Sequence, residues 1–137
     1  MIVQGQTNSF KQELYEGIHD LLVDEIRIAL YTGFADLNLE TTEYSTTNEI
    51  TGTGYAQGGE VLQNATVNSA NDTAYVSFDN ITWNPAGFTC RCALIYNVTQ
   101  GNKSIAVLDF GSDKTASGTF TITFPADTST SAVIRMK

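Results

Sequence analysis

The residue types that most often perform catalysis or bind metals are scarce in this chain. Its 137 residues include one histidine, His19, and two cysteines, Cys90 and Cys92. A serine hydrolase needs a nucleophilic serine on a strained turn, and no G-x-S-x-G segment occurs. A zinc site needs three or four protein ligands, which a Cys-x-Cys pair and one remote histidine do not supply. We therefore predict no enzyme activity, no metal site and no cofactor, and we place His19 at the boundary or surface of the fold.

Acidic side chains are the remaining candidates for chemistry. Asp72, Asp79, Asp109 and Asp113 could in principle form a hydrolytic pair, but their spacing singles out no two of them. A calcium site built from loop Asp and Asn oxygens also stays open, although no consensus binding loop occurs. The sequence therefore identifies no reaction centre.

Negative charge is concentrated in the first part of the chain. Residues 1–60 carry ten acidic and two basic side chains and residues 61–137 carry five of each, so the first 60 residues hold the whole net charge of −8. This charge argues against binding to nucleic-acid phosphates. Two interpretations remain, a solvated acidic surface or a surface that meets a basic patch on a partner. For the second, we predict contacts from the N-terminal arm and a long loop, in particular from Glu40, Glu43, Tyr44, Glu49 and Tyr55.

One amphipathic helix is predicted near the start of a single domain that spans residues 1–137, a usual domain size. Apolar residues recur at three- and four-residue steps from Phe10 to Leu22, which predicts a helix over residues 9–24 after an arm at residues 1–8. Ser9 and Gln12 have the spacing of a capping box at its start.

A change to two-residue periodicity predicts a β-domain over residues 25–137. Its first strand falls at residues 26–31, a long polar loop occupies residues 37–59, and further strands begin at Glu60. Proline and glycine predict a turn at residues 84–87, and a loop is predicted at residues 111–118. About seven short strands without a second helix predict a mainly β fold, an antiparallel sandwich or barrel.

Alternation within the strands predicts which side chains face inward. In FTITF, residues 120–124, the apolar side chains face the core and the threonines face outward. The same alternation over residues 88–96 places two reduced, buried thiols on one apolar face, which consists of Phe88, Cys90, Cys92, Leu94 and Tyr96.

Membrane insertion and export find no support in the sequence. The longest apolar run is only a few residues, far short of a bilayer span. The first thirteen residues lack the basic and apolar regions of a signal peptide, so we expect no export by that route.

Six segments from Ile26 onward form a recognisable series: IRIALYTGFADLNLETTEYSTTNEITGTGY, AQGGEVL, FDNITWNPAGFTCRCALIYN, SIAVLDFGSD, FTITFPAD and AVIRMK. Residues 44–49 and 93–96 are more distinctive than the FTITF strand. Over about 110 of the 137 residues, the series resembles small structural proteins of tailed bacteriophages, especially those that infect marine and freshwater bacteria.

The resemblance implies a non-enzymatic virion protein, most specifically a capsid decoration (cement) protein that binds and stabilises the assembled head. It implies the major capsid protein as partner, a homotrimer as the bound form, synthesis in the host cytoplasm and a final position on the capsid exterior. A head–tail connector or tail structural protein is the main rival. A module that binds carbohydrate on the host surface is a further alternative, with Trp83, Tyr44 and Tyr55 as stacking candidates.

Overall fold

The structure, a computed structural model that describes residues 1–136, contains two antiparallel β-sheets and one short helix. In chain order the elements are β1 (Gly5–Gln6), α1 (Asn8–Tyr15), β2 (Ile26–Tyr31), β3 (Glu60–Val61), β4 (Thr66–Ala70), β5 (Thr73–Ser77), β6 (Ile81–Asn97), β7 (Lys103–Ile122) and β8 (Ile134–Met136). One sheet has the order β1-β7-β6-β2-β3 and the other has the order β4-β5-β8. The prediction of a mainly β, sandwich-like fold is confirmed.

The five-stranded sheet is buried on both faces at β2 and at residues 92–97 of β6, which pair with it. In β2, Ile26, Ile28 and Leu30 face a larger core that α1 and the three-stranded sheet cover. Ala29 and Tyr31 point to the opposite face and join a second, smaller core with residues of the long loop. The sequence of a strand that is buried on both faces is a nearly continuous run of apolar residues, and residues 26–31 form such a run.

The long loop is therefore the third layer of the molecule. Between Tyr31 and Glu60 it forms only isolated β-bridges, which supports the predicted loop at residues 37–59. Ala35 and Leu37 are buried against the sheet. The backbone of Gly59 lies so close to Ile28 that a Cβ atom would collide with the Ile28 carbonyl oxygen. This loop, residues 32–59, covers the sheet much as a second sheet would.

The helix is shorter than predicted and has a different cap. It ends at Tyr15, not at residue 24, because the chain turns through Gly17 at a φ of 72°. Thr7, not Ser9, is the N-cap, and its hydroxyl accepts a hydrogen bond from the backbone N–H of Phe10 at 3.3 Å. Leu21 still reaches the core, whereas Leu22 is 62 % exposed.

The predicted turn at residues 84–87 and the predicted loop at residues 111–118 are wrong, because these segments lie within the strands β6 and β7. Pro85 falls where the register shifts between Trp83 and Ala86, a β-bulge where a residue without a backbone N–H is tolerated. Turn-forming residues here locally interrupt the ladder without reversing the chain.

A second irregularity corrects the predicted face of the cysteines. The register shifts between Cys90, which pairs with Lys114, and Cys92, which pairs with Asp109. Beyond this shift the inward face of β6 changes, so Cys90 lies in the larger core and Cys92 in the smaller one. Both thiols are free and buried, as predicted, but they are on opposite faces of the sheet.

Candidate functional site

Three of the five predicted partner-binding residues converge on one carboxylate. The Tyr44 hydroxyl donates to Glu49 Oε1 at 2.6 Å, and the Tyr55 hydroxyl donates to Glu49 Oε2 at 2.5 Å. The backbone N–H of Gly58 donates to the same Oε2 at 2.8 Å. Charge-assisted bonds to a carboxylate are stronger than neutral ones. Glu49 therefore ties together segments of the loop that are up to fourteen residues apart in sequence.

Aromatic rings fix this cluster on the sheet. Tyr44 stacks on Tyr96 of β6, with ring centroids 4.6 Å apart and planes 14° apart, and the Tyr96 hydroxyl donates to the Gly58 carbonyl at 2.6 Å. The Tyr55 oxygen accepts from the backbone N–H of Leu30 at 3.0 Å. The cluster formed by Tyr44, Glu49, Tyr55 and Tyr96, here called the Glu49 anchor, holds the loop on β2 and β6.

The tyrosines of the anchor remain neutral donors. Burial raises the pKa of Tyr96 to about 12. Burial and the neighbouring Glu49 carboxylate raise the pKa of Tyr44 and of Tyr55 further above the ordinary value. Such phenols do not supply a proton or a nucleophile near neutral pH. The chemistry of the cluster is to accept and donate fixed hydrogen bonds, which hold the loop in place.

Glu40 and Glu43, the other two predicted residues, lie outside the anchor. Both side chains are exposed. Glu40 Oε1 accepts from the Asn8 side-chain amide at 2.6 Å, and the backbone of Glu43 forms an antiparallel bridge with Lys103. The loop thus has two exposed carboxylates, Glu40 and Glu43, and one half-buried carboxylate, Glu49.

A small cleft opens beside the anchor. It has a volume of about 280 Å³, and Glu49 and Tyr55 form part of its wall together with residues 50–52, Thr46 and Gln57. Trp83 does not reach this cleft, because it is only 2 % exposed and packs among Tyr55, Phe88 and Phe120. The aromatic faces proposed for sugar stacking are therefore largely covered, at Trp83 above all.

Sequence reasoning missed two residues of this region, Tyr31 and Tyr96. The Tyr31 hydroxyl donates to the Ser45 carbonyl at 2.6 Å and so pins the loop from the end of β2. Tyr96 was expected only as a core side chain. The sequence feature that could have identified both residues is a tyrosine at the end of a buried strand, because its hydroxyl needs a hydrogen-bond partner when the ring is buried.

His19 belongs to a second polar network. The residue is half-buried, as a boundary position predicts, but its side chain is fully covered, and its Nε2 lies 2.8 Å from Glu13 Oε1. The Asn97 amide nitrogen, a donor only, lies 3.0 Å from His19 Nδ1, so Nδ1 accepts and Nε2 carries the proton. Asn97 also donates to Asp24 at 2.8 Å. These bonds join the end of α1 to the end of β6.

Metal binding and membrane insertion were the other two features considered in the sequence. Within residues 1–136, no group of three or more His, Cys, Asp or Glu side chains is placed to hold a metal ion. The helix in the same residues is too short and too polar to span a bilayer.

Comparisons with family models, with curated proteins and with solved structures found no match for this chain. Its function has to be inferred from its own geometry together with the resemblance carried by its sequence.

Proposed function

We propose that this chain is a non-enzymatic structural protein of a bacteriophage virion and that it decorates the assembled head by binding the major capsid protein. The resemblance over about 110 residues supports the virion assignment. The observation that carries the binding role is the Glu49 anchor, in which one carboxylate and its three donors fix the acidic loop.

A fixed loop favours binding because less conformational entropy is lost when the partner arrives. A decoration protein meets the same surface many times on one particle, so a preformed contact is an advantage at every site. Binding only to the assembled shell stabilises that shell by mass action.

The negative charge of the loop is a second reason to expect binding to the capsid. The exposed carboxylates of Glu40 and Glu43 lie beside the anchor, in the part of the chain that holds the whole net charge of −8. Such a surface is suited to a basic patch on the capsid, where opposite charge raises the association rate and orients the two proteins.

The first experiment locates the protein on purified particles. Quantitative mass spectrometry of virions, of tailless heads and of isolated tails should find it at high copy number in virions and heads. Recovery only with tails would replace the decoration role with the connector or tail role, and absence from all three fractions would refute the virion assignment.

The second experiment tests the contact surface. Glu40→Lys/Glu43→Lys should lower occupancy on undecorated heads and reduce the dependence of binding on salt. Glu16→Lys/Asp113→Lys makes the same change of charge at exposed positions outside the loop and should bind as the unmodified protein does. Equal loss with both pairs would mean that only net charge matters, and the loop would then not be the contact.

A further inference from the structure

The outer side of β7 is covered over only part of its length. β1 pairs with Ala106 and Val107, and the Asp109 N–H donates to the Gln4 side chain at 2.9 Å. From residue 110 to 122, no strand among residues 1–136 pairs with this side, while β6 occupies the opposite side from Lys114 to Ile122. Unpaired backbone donors and acceptors in a strand are a template for another strand.

Beyond Asp113 and Lys114, the uncovered segment carries no charge that would protect it against such pairing. Residues 115–124, TASGTFTITF, contain no charged side chain and no proline, and Pro125 follows directly after them. Natural edge strands are commonly protected by lysines, inward charges or prolines. Threonine, phenylalanine and isoleucine favour strand structure, so this edge, residues 115–122, is well suited to accept a strand.

Two grooves flank the edge and share Phe110, Ile122 and Thr123 in their walls. The groove toward Lys114 has a volume of about 280 Å³, and the groove toward Gln4 has a volume of about 530 Å³. Phe110 and Phe120 are half-buried at the first groove, with ring centroids 6.4 Å apart. An added strand would gain main-chain hydrogen bonds from the edge and apolar contacts from the grooves, the two components of strand addition.

We propose that the strand which binds this edge is the same segment of a second copy, so that residues 118–124, the end of β7 and the two residues after it, pair antiparallel in the two copies about a two-fold axis near Thr121. This register places Thr119 opposite Thr123 and Phe120 opposite Ile122 of the second copy. Opposite residues of an antiparallel pair share a face, so the apolar side chains of both copies lie on one face and the threonines on the other. Threonines already pair in this way within the protein, where Thr82 and Thr121 hydroxyls are 3.0 Å apart.

The distribution of charge allows the two copies to approach. The acidic first 60 residues hold the net charge of −8, whereas residues 115–124 are uncharged and their flank at Lys114 is positive. An isologous contact at this edge brings neutral surfaces together and adds no like-charge pair. The inference is independent of the proposed virion role, and a two-fold dimer differs from the trimer that the resemblance implies.

Sedimentation equilibrium over a wide range of concentration tests the proposal. The unmodified protein should show a monomer–dimer equilibrium. Thr119→Lys/Thr123→Lys should weaken dimerisation by about tenfold or more, because the register sets lysines opposite each other. Asn68→Lys/Ala70→Lys makes the matched change on β4, whose five residues are all exposed, and should leave dimerisation unchanged.

A monomer at every concentration, a trimer, or equal loss with the β4 pair would overturn the proposal. Hydrogen exchange provides a readout that needs no variant. Among residues 118–124, the amides that point away from β6 should exchange more slowly as concentration rises, and concentration-independent exchange there would contradict a dimer at this edge.

Discussion

At the scale of single residues, Glu49 helps to fix the path of the long loop. Its carboxylate accepts from Tyr44, Tyr55 and the backbone of Gly58. Sequence reasoning selected Glu49 for a different role, as an exposed contact for a basic partner. In the structure, Glu49 differs from Glu40 and Glu43, which are exposed. Its carboxylate is half-buried, and the three hydrogen bonds that it accepts connect parts of the loop to one another.

Replacing Glu49 should therefore destabilise the fold. Glu49→Ala leaves three donors without their acceptor, and we expect a loss of about 2–4 kcal/mol in the free energy of unfolding. Glu40→Ala removes an exposed carboxylate from the same loop and should change stability by no more than about 0.5 kcal/mol. Urea denaturation of both variants measures the difference, and similar effects would show that the anchor does not stabilise the loop.

The two cysteines should be unreactive in the folded protein. Burial raises the pKa of Cys90 to about 12 and that of Cys92 to about 11, so little thiolate forms at pH 8. An aromatic disulfide reagent should label neither thiol rapidly in native protein and should label both after denaturation. Rapid labelling of one cysteine in native protein would place that thiol at the surface.

At the scale of elements, close backbone contact fixes where the loop rejoins the sheet. Gly59 and Gly101 have nearly the same φ, 80° and 79°, but only Gly59 lies against other backbone atoms. Its missing Cβ lets the chain pass beside Ile28 and enter β3. At Gly101, the turn between β6 and β7 leaves open space.

These two glycines form a matched pair for substitution. Gly101→Ala should cost about 1–2 kcal/mol, which is the penalty of a left-handed conformation alone. Gly59→Ala adds a collision with the Ile28 carbonyl and should cost more than about 3 kcal/mol or prevent folding. Denaturation midpoints compare the two variants, and equal values would contradict the tight passage at Gly59.

The loop should also make stability sensitive to alkaline pH. Burial raises the pKa of Tyr31, Tyr44, Tyr55 and Tyr96, the last to about 12, above the ordinary value of 10.0. Above pH 10 the unfolded chain loses phenolic protons that the folded chain retains, so stability should fall from that pH upward.

Denaturation from pH 8 to 11.5, alongside the ultraviolet absorbance of tyrosinate, tests this dependence. Tyr44→Phe/Tyr55→Phe removes two of the groups and should flatten the alkaline decline. Ionisation of these four tyrosines near pH 10 in native protein would contradict their burial.

At the scale of the whole molecule, both cores share one sheet and should unfold together. Trp83 lies in the larger core, whereas Tyr31 and Tyr96 lie in the smaller one. β2 and β6 contribute side chains to both cores, so neither core can open while the other stays intact. Tryptophan fluorescence, tyrosine near-ultraviolet signals and far-ultraviolet circular dichroism should give coincident transitions. Separate midpoints would show two independent units.

Local patterns predicted the parts of the fold that depend on local order. The strand at residues 26–31, the outward threonines of FTITF and the long loop follow from periodicity and composition. The bulges at Pro85 and between Cys90 and Cys92 depend on which strands pair on either side, so turn chemistry alone misread them. The Glu49 anchor was hidden for a similar reason, because its members meet only after the loop has folded onto β6.

The use of a loop as a structural layer has a consequence for variation. Because the same segment covers a core and displays a surface, some of its positions should tolerate many different amino acids and others only a few. In a library that randomises the loop, we expect Glu40 and Glu43 to accept most amino acids, while Tyr44, Glu49 and Tyr55 are retained. The exposed positions of the loop can therefore vary while the backbone beneath them keeps its path.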